Sequence, residues 1–251
     1  MNGEKPHPVF REKNLFNDKF FDYIKRDWVY MKDATEDDFI SFCKNNTTYI
    51  EKPVDSWNGK GVQKKNISPE TDLRELFKEY SGKPLILEEY LTACELMQKL
   101  HPASLNTIRV ATVLNEKNDE AKVVAAVLRI GSGNNIVDNL NSGGLCAAID
   151  LERGTVSHKA VNLKGERYEY HPDTNARITG LMIPEWQSII EMCKAAAIKC
   201  KEVRFVGWDV AVTFNAQTNC NKIQLIEGND RQDFPLLQMS SGKGLMHENV
   251  L

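Results

Sequence analysis

Val203-Arg-Phe-Val-Gly-Trp-Asp-Val-Ala-Val-Thr-Phe214, followed after a polar turn by Gln224-Leu-Ile-Glu-Gly-Asn229, reads as two neighbouring strands that carry oxygen ligands. A buried or half-buried strand has little reason to hold a lone carboxylate such as Asp209, because an unpaired charge is expensive to desolvate. A cation removes that cost. Glu227 and Asn229 are two residues apart and share a strand face. An opposed Asp209 completes an all-oxygen set suited to Mg2+. Taken alone, the segment reads equally as a hairpin with solvated polar ends.

Composition narrows what such a site could serve. The chain has 251 residues, 41% hydrophobic and 27% charged, enough for one large domain or two small lobes. The formal charge of -3 gives no basic surplus, so no nucleic-acid partner is expected and a nucleotide fits better than a polymer. No apolar run approaches the roughly 20 residues that span a bilayer, and Met1-Asn-Gly-Glu-Lys-Pro lacks a signal-peptide core, so a cytoplasmic location is expected. Cys43, Cys94, Cys146, Cys193, Cys200 and Cys220 form no CxxC pair and read as reduced thiols, mostly buried.

Outward from the hairpin, the chain divides into two patterns. Residues 1–17 read as a flexible lead-in, and Asp18 to Ile24 as a short amphipathic helix. Thr35, with Asp38 three residues on, opens a helix with Phe39, Phe42 and Cys43 on one face, and a strand follows at Tyr49 to Lys52. A polar glycine loop runs from Asp55 to Val62. Ser68-Pro69 then opens a helix lined by Leu73, Leu76, Phe77 and Tyr80, which Gly82 stops. A strand, Leu85 to Leu91, closes this first unit.

From Asn106 the pattern changes to antiparallel strands over Ile108 to Leu114, Val123 to Ile130, with a turn at Asn118-Asp119, and Leu145 to Ile149. A helix after Pro184 with Ile189, Ile190, Cys193 and Ala197 on one face leads into the ligand-bearing hairpin. The predicted architecture is α+β, two lobes with a cleft between them. The expected division is a lead-in over 1–17, a small lobe over 18–92 and a large lobe over 93–251.

Lys52 ends a strand and is followed within ten residues by Gly59-Lys60-Gly61, so a fixed ammonium lies near backbone N–H groups able to approach phosphate oxygens. No GxxxxGK[ST] loop is present, and a glycine-containing β-turn is the alternative for so short a motif. Arg109 and Arg129 fall on strands and offer planar forks for a phosphate or a carboxylate. A surface salt bridge is the other reading of each. His101 and His171, each before a proline, stay outside the catalytic set because a lone histidine is more often structural.

In order, Lys-Pro-Val-Asp-Ser-Trp-Asn-Gly-Lys-Gly-Val over 52–62, Glu88-Glu-Tyr-Leu91, Asp209 and Glu227-Gly-Asn229 resemble the ATP-grasp superfamily. Ser104-Leu-Asn-Thr-Ile-Arg-Val110, Val137-Asp-Asn-Leu-Asn-Ser-Gly-Gly144 and Gly207-Trp-Asp-Val-Ala211 look like its sugar-transfer-associated group, whose members are often encoded with surface-polysaccharide functions. The resemblance covers roughly Asp18 to the C-terminus. It implies ATP held between the lobes with one or two Mg2+ ions. Lys52 would contact the α- and β-phosphates, with Lys19 similar to an upstream phosphate lysine, and Gly59, Lys60 and Gly61 would form the lid. Glu88, Glu89, Tyr90 and Leu91 would supply the strand that reads adenine, and Glu95 would reach the ribose. Asp209, Glu227 and Asn229 would hold the metal.

Arg109 and Arg129 would then face a γ-phosphate or an acyl phosphate. Asp138, Asn139, Asn141, Gly143, Gly144 and Arg231 would face the acceptor. The chain departs from the superfamily in two respects. The usual preceding α/β domain is expected to be missing or reduced to about fifty residues, and Gly207 stands where related ligases often have a basic residue. A partner chain or another domain would then complete acceptor binding, and a homo-oligomer is a further expected partner arrangement. The resemblance implies a carboxylate–amine ligase acting through an acyl phosphate, with the acid or amine carried on a sugar or glycan precursor. A small-molecule or sugar kinase on the same fold, and a non-catalytic nucleotide-binding subunit, remain open alternatives.

Overall fold

The computed structural model describes residues 2, 6–56, 59–115, 120–215, 218–231 and 234–244. Two short helices come first, α1 (Pro8–Arg11) and α2 (Lys13–Lys19), then a 3-10 turn at Phe21–Tyr23. The first sheet is built from β1 (Trp28–Tyr30), β2 (Thr48–Pro53), β3 (Gln63–Asn66) and β4 (Leu85–Glu89), in the spatial order β1-β4-β2-β3, all pairs antiparallel. Helices α3 (Glu36–Asn45) and α4 (Leu73–Tyr80) pack on it around Met31, Phe39, Tyr49 and Leu87.

Local sequence explains these boundaries. In α3 the Asp38 N–H donates to the Thr35 hydroxyl at 3.2 Å and the Thr35 N–H donates to the Asp38 carboxylate at 3.0 Å, which satisfies two otherwise free donors. The second helix begins later than Ser68-Pro69. Residues 68–71 form a turn, and Asp72 caps α4 by accepting from the N–H groups of Arg74 and Glu75 at 2.9 and 3.2 Å. The preceding stretch pairs with β2 as β3, a strand whose polar sequence gives no period-2 signal.

Helix α5 (Glu95–Leu100) leads into the second sheet: β5 (Ile108–Asn115), β6 (Glu120–Ile130), β7 (Leu145–Asp150), β8 (Thr155–Val156), β9 (Ala160–Val161), β10 (Arg167–Tyr168), β11 (Phe205–Asn215) and β12 (Cys220–Asn229). Its order is β10-β9-β7-β6-β5-β11-β12, with β8 on β7. Helix α6 (Trp186–Lys199) packs Ile189, Cys193, Ala196 and Ala197 into a core with Ile108, Leu128 and Trp208, while α7 (Phe234–Gln238) adds Leu236 and Leu237 to a second core with Ala111, Val127 and Phe205. The expected turn at Asn118-Asp119 lies outside the described residues.

The N-terminal segment departs from the expected flexible lead-in. Phe10, Phe16 and Phe20 gather around Trp208, with ring centroids 5.7, 6.5 and 5.2 Å from it. Gly228, opposite Trp208 on β12, admits this packing, since a Cβ there would come 2.6 Å from the Phe10 ring and 2.8 Å from the Phe16 ring. Phe16, Phe20 and Ile24 belong to the core of the second sheet. Residues 18–24, expected in the small lobe, therefore side with the larger one.

Candidate active site

Burial of apolar faces on both sheets leaves a cleft between them of about 1210 Å3, counting its open mouth. One side is formed by Lys13, Lys52, Ser56 and Gly59, and the link Glu89 to Ala93 runs along its base. The opposite wall comes from Arg129, Asp138, Asn139, Asp209 and Glu227.

Strand register assembles that wall. Arg109 on β5 is opposite Asp209 on β11, and Asp209 is opposite Glu227 on β12, so three charged residues form one row across three strands. The Arg109 Nη2 donates to Asp209 at 2.9 Å, and its Nε also pairs with the same carboxylate. Arg129, from β6, donates to Asp209 at 2.5 Å and lies 3.0 Å from Asp138. Asp138 in turn accepts from the Thr107 N–H and hydroxyl at 2.6 and 2.7 Å. Burial works against ionised Asp209, but the Arg109 and Arg129 guanidiniums outweigh it and hold the carboxyl well below the usual range. Glu227 goes the other way: burial and the Asp209 charge beside it push its carboxyl up.

A second ion cluster ties the lobes together. Glu88, 2% exposed, pairs with Arg26 at 2.7 Å and with Lys52, and accepts from Asn17 at 3.0 Å. Arg26 also donates to the Leu225 and Ile226 carbonyls at 2.6 and 3.1 Å, so one guanidinium joins β4 to β12. Burial opposes ionisation of Glu88, and the Arg26 and Lys52 charges reverse that and hold its carboxyl low. The role of Glu88 here is counter-ion to two cations.

The upstream lysine at the cleft is Lys13. Its ammonium donates to the Ser56 carbonyl at 2.7 Å, and burial lowers its pKa despite the opposing Glu227 charge. Lys19 is exposed at the C-terminal end of α2 and does not line the cleft. Gly59 lines the cleft with φ of +71°. Lys60 and Gly61 are exposed and do not line it, and Trp57 and Asn58 lie outside the described residues. Glu89, Tyr90 and Leu91 all line it, although β4 ends at Glu89. Glu95 points to solvent on α5 and pairs with Lys99 at 2.7 Å, away from the lining.

The loop after β6 behaves as two parts. Asp138 and Asn139 reach the cleft, and Asn139 accepts from Arg129. Asn141 and Gly143 are exposed, and Gly144 is buried where a Cβ would meet the carbonyls of Asp138, Ile130 and Asn139 at 2.8 to 2.9 Å. These three shape the loop without lining the cleft. Arg231 is exposed beyond β12 and lines neither this cleft nor the cavity beside it. His101 and His171 are buried and donate from Nε2 to the Gly133 and Gly131 carbonyls, each at 2.8 Å, which fixes the base of the loop.

Residues 18–251 match the family model for sugar-transfer associated ATP-grasp proteins. The chain belongs to that family. Solved structures similar in fold include the ATP-grasp ligase PsnB complexed with precursor peptide PsnA2 and AMPPNP, with a TM-score of 0.52, 14% identity, and coverage of 93% of this chain and 55% of that one. PsnB complexed with a minimal precursor, Mg and ADP gives a TM-score of 0.51, 15% identity, and coverage of 93% and 53%. The ADP complex of PurK, N5-carboxyaminoimidazole ribonucleotide synthetase, gives 0.50, 14% identity, and coverage of 89% and 45%. The chain spans about half the length of these structures. No curated protein matches the chain at the level of sequence.

Asp209 and Glu227 would hold a divalent cation only with its remaining ligands from phosphate, since both Asp209 oxygens already accept from Arg109 and Arg129. Among the described residues no three His, Cys, Asp or Glu side chains are grouped to cage a metal. What is present is a pair of facing carboxylates, Glu227 with its pKa raised by burial and then by Asp209, and an Asn229 amide whose oxygen would be the ligand, its Nδ2 being a buried donor without a hydrogen-bond partner. Mg2+ characteristically takes one or two carboxylates and completes its shell with water and phosphate oxygens.

Sequence reading placed Lys52, Gly59, Glu89 to Leu91, Arg129, Asp138, Asn139, Asp209 and Glu227 in one cleft, and the structure brings them together. It missed Lys13, Arg26, Ser56 and Thr107. Lys13 and Arg26 sit in polar stretches with no motif around them, so only tertiary contact marks them out.

Proposed function

We propose that this ATP-grasp chain is an ATP-dependent carboxylate–amine ligase that works through an acyl phosphate. The observation that carries the reading is the convergence of Lys13, Lys52 and Arg129 on one cleft whose far wall ends in the Asp209 and Glu227 carboxylates. Three cations and two facing carboxylates in a partly enclosed space suit a triphosphate with its metal. The link from Glu89 to Leu91 would hold adenine by its backbone, Lys13 and Lys52 would hold the α- and β-phosphates, and Gly59 would cover them. Asp209, Glu227 and Asn229 would hold Mg2+, which supplies charge neutralisation at the β- and γ-phosphates.

A carboxylate oxygen of the substrate attacks the γ-phosphorus and ADP departs. An amine then attacks the acyl carbon and expels phosphate, leaving an amide. Arg129, held in the cleft wall by Asp138, Asn139 and Asp209, would stabilise the transferring phosphoryl group. Arg109 would act on it through Asp209, the carboxylate both arginines share. No dedicated base is needed for the first step, because the attacking carboxylate is already ionised. The family name supports an acid or amine carried on a sugar, and with it a cytoplasmic role in glycan modification. Among the described residues no helix is long and apolar enough to cross a membrane.

The test is a coupled ADP-release screen over amino acids, amino sugars and uronic acids, with product masses measured. ADP and phosphate released only when a carboxylate and an amine are both present supports the ligase. A stable phosphoester without free phosphate would make the chain a kinase, and nucleotide binding without turnover on any pair would make it a regulatory subunit.

A further inference from the structure

Beside the nucleotide cleft, and sharing Lys13, Arg129 and Glu227 with it, lies a second cavity of about 620 Å3 including its mouth. Its outer wall is residues 10–13, where α1 gives way to α2. This segment precedes the matched residues 18–251, so family membership assigns it nothing.

Two charges on that wall have no visible purpose. Arg11 and Glu12 both line the cavity, and neither side chain makes a hydrogen bond or ion pair with a described residue. They are consecutive, yet they do not pair with each other. Glu12 has extended backbone, φ -106° and ψ 116°, between two helices. The neighbouring cations already have protein partners, Lys13 the Ser56 carbonyl, Arg109 and Arg129 the Asp209 carboxylate, and Lys13 and Arg129 are assigned to phosphate in the proposed reaction. Phe10 and Phe16 supply an apolar wall, packed over Gly228 where a Cβ would collide with both rings. The buried Asn229 Nδ2, also on the cavity, adds a donor that no described residue satisfies.

We propose that this second cavity binds the zwitterionic head of an α-amino acid, its carboxylate at Arg11 and its ammonium at Glu12. A simple anion would meet the Glu12 charge, and a simple cation would meet Arg11. A molecule that carries both charges a few ångströms apart is matched by both, and Phe10 and Phe16 accept its aliphatic part. That the amino acid is the amine partner of the ligase rests on the reading above. Its binding does not.

The experiment measures binding of the L-amino acids to the full chain with ADP and Mg2+ present, by saturation-transfer NMR and then calorimetry. For the tightest ligand, the carboxamide and the N-acetyl derivative are compared with the parent, in the wild type and in R11A and E12Q. At least one amino acid binds, and losing either charge weakens it by about tenfold or more. R11A removes the preference for acid over amide, and E12Q removes the preference for free amine over acetylated amine, with ADP affinity unchanged in both. The proposal is overturned if no amino acid binds, if the derivatives bind as well as the parent, or if both variants keep both preferences. Binding without ADP release from that amino acid with any acid would sink the ligase reading and leave this site standing.

Discussion

The Lys13 ammonium and the Ser56 carbonyl, 2.7 Å apart, join the N-terminal helices to the start of the glycine loop. The Lys13 N–H also donates to the Val54 carbonyl at 3.1 Å, so the same residue is anchored by its backbone. A cation held this way is preorganised for phosphate and can exchange the Ser56 carbonyl for a stronger anionic acceptor.

Lys13→Ala is therefore expected to weaken ADP binding by about tenfold or more, the range for losing a charge-assisted hydrogen bond. Lys19→Ala and Glu95→Ala leave ADP affinity unchanged, because both side chains face solvent away from the cleft. Calorimetric titration with ADP decides it. Equal losses in K13A and K19A would remove Lys13 from the phosphate site.

Glu88 is the sole carboxylate that the described residues place against both Arg26 and Lys52. Glu88→Ala leaves two cations at the lobe junction without their counter-ion, and breaking a buried pair in this way costs about 3–5 kcal/mol. Urea unfolding should show that loss as a lower midpoint. A change under about 1 kcal/mol would mean that water or ligand groups take over the carboxylate's work.

These two residues also show how far the sequence could be read. The motif at 52–62, the strand at 85–91 and the hairpin at 205–229 have spacing and period, and the structure puts Lys52, Gly59, Glu88 to Leu91, Asp209 and Glu227 on one cleft, while Asn229 lines the cavity beside it and Lys60 and Gly61 line neither. Strand period alone put Glu227 and Asn229 on one face. The row Arg109, Asp209, Glu227 required the register of β5 on β11 and β11 on β12, which no local pattern encodes. Lys13 and Arg26 depend on contacts 43 and 199 residues away in the chain. Residues 1–17 read as a flexible lead-in because the first ten are mostly polar and carry two prolines, Pro6 and Pro8. Phe10, Phe16 and Phe20 gain order from Trp208, about 190 residues later in the chain.

His171 sets an acid limit on the loop that carries Asp138 and Asn139. Burial lowers its pKa from the ordinary 6.5, against the opposing pull of the Gly131 carbonyl. The unfolded chain therefore takes up a proton at a pH where the folded one does not. Stability from neutral His171 is complete above 6.5 and is lost as pH falls below it toward the folded value, with a slope of at most about 1.4 kcal/mol per pH unit. His171→Gln keeps a donor for Gly131 and removes the titration. Unfolding curves at pH 7.5 and 5.5 should differ less in H171Q than in the wild type, and an equal fall in both would place the acid sensitivity elsewhere.

Glu227 links the metal question to protons. Its carboxyl is pushed up by burial and by Asp209, so the ligand-free chain holds a proton there more readily than a free glutamate does. A cation at this position favours the ionised form, so any fraction of Glu227 that is protonated gives up its proton on binding. Glu227→Gln keeps the shape and removes both the repulsion and the ligand charge. The ligand-free variant is expected to melt a few degrees higher than the wild type near neutral pH, because the raised pKa marks a carboxylate the fold would rather not ionise. Its ADP affinity should respond to Mg2+ by no more than about twofold, where the wild type responds by about tenfold or more. Titrations in buffers of different ionisation enthalpy should show proton release on Mg–ADP binding in the wild type and none in E227Q. A variant that retains the full Mg2+ response would move the metal away from Glu227 and leave the facing pair a structural feature of β11 and β12.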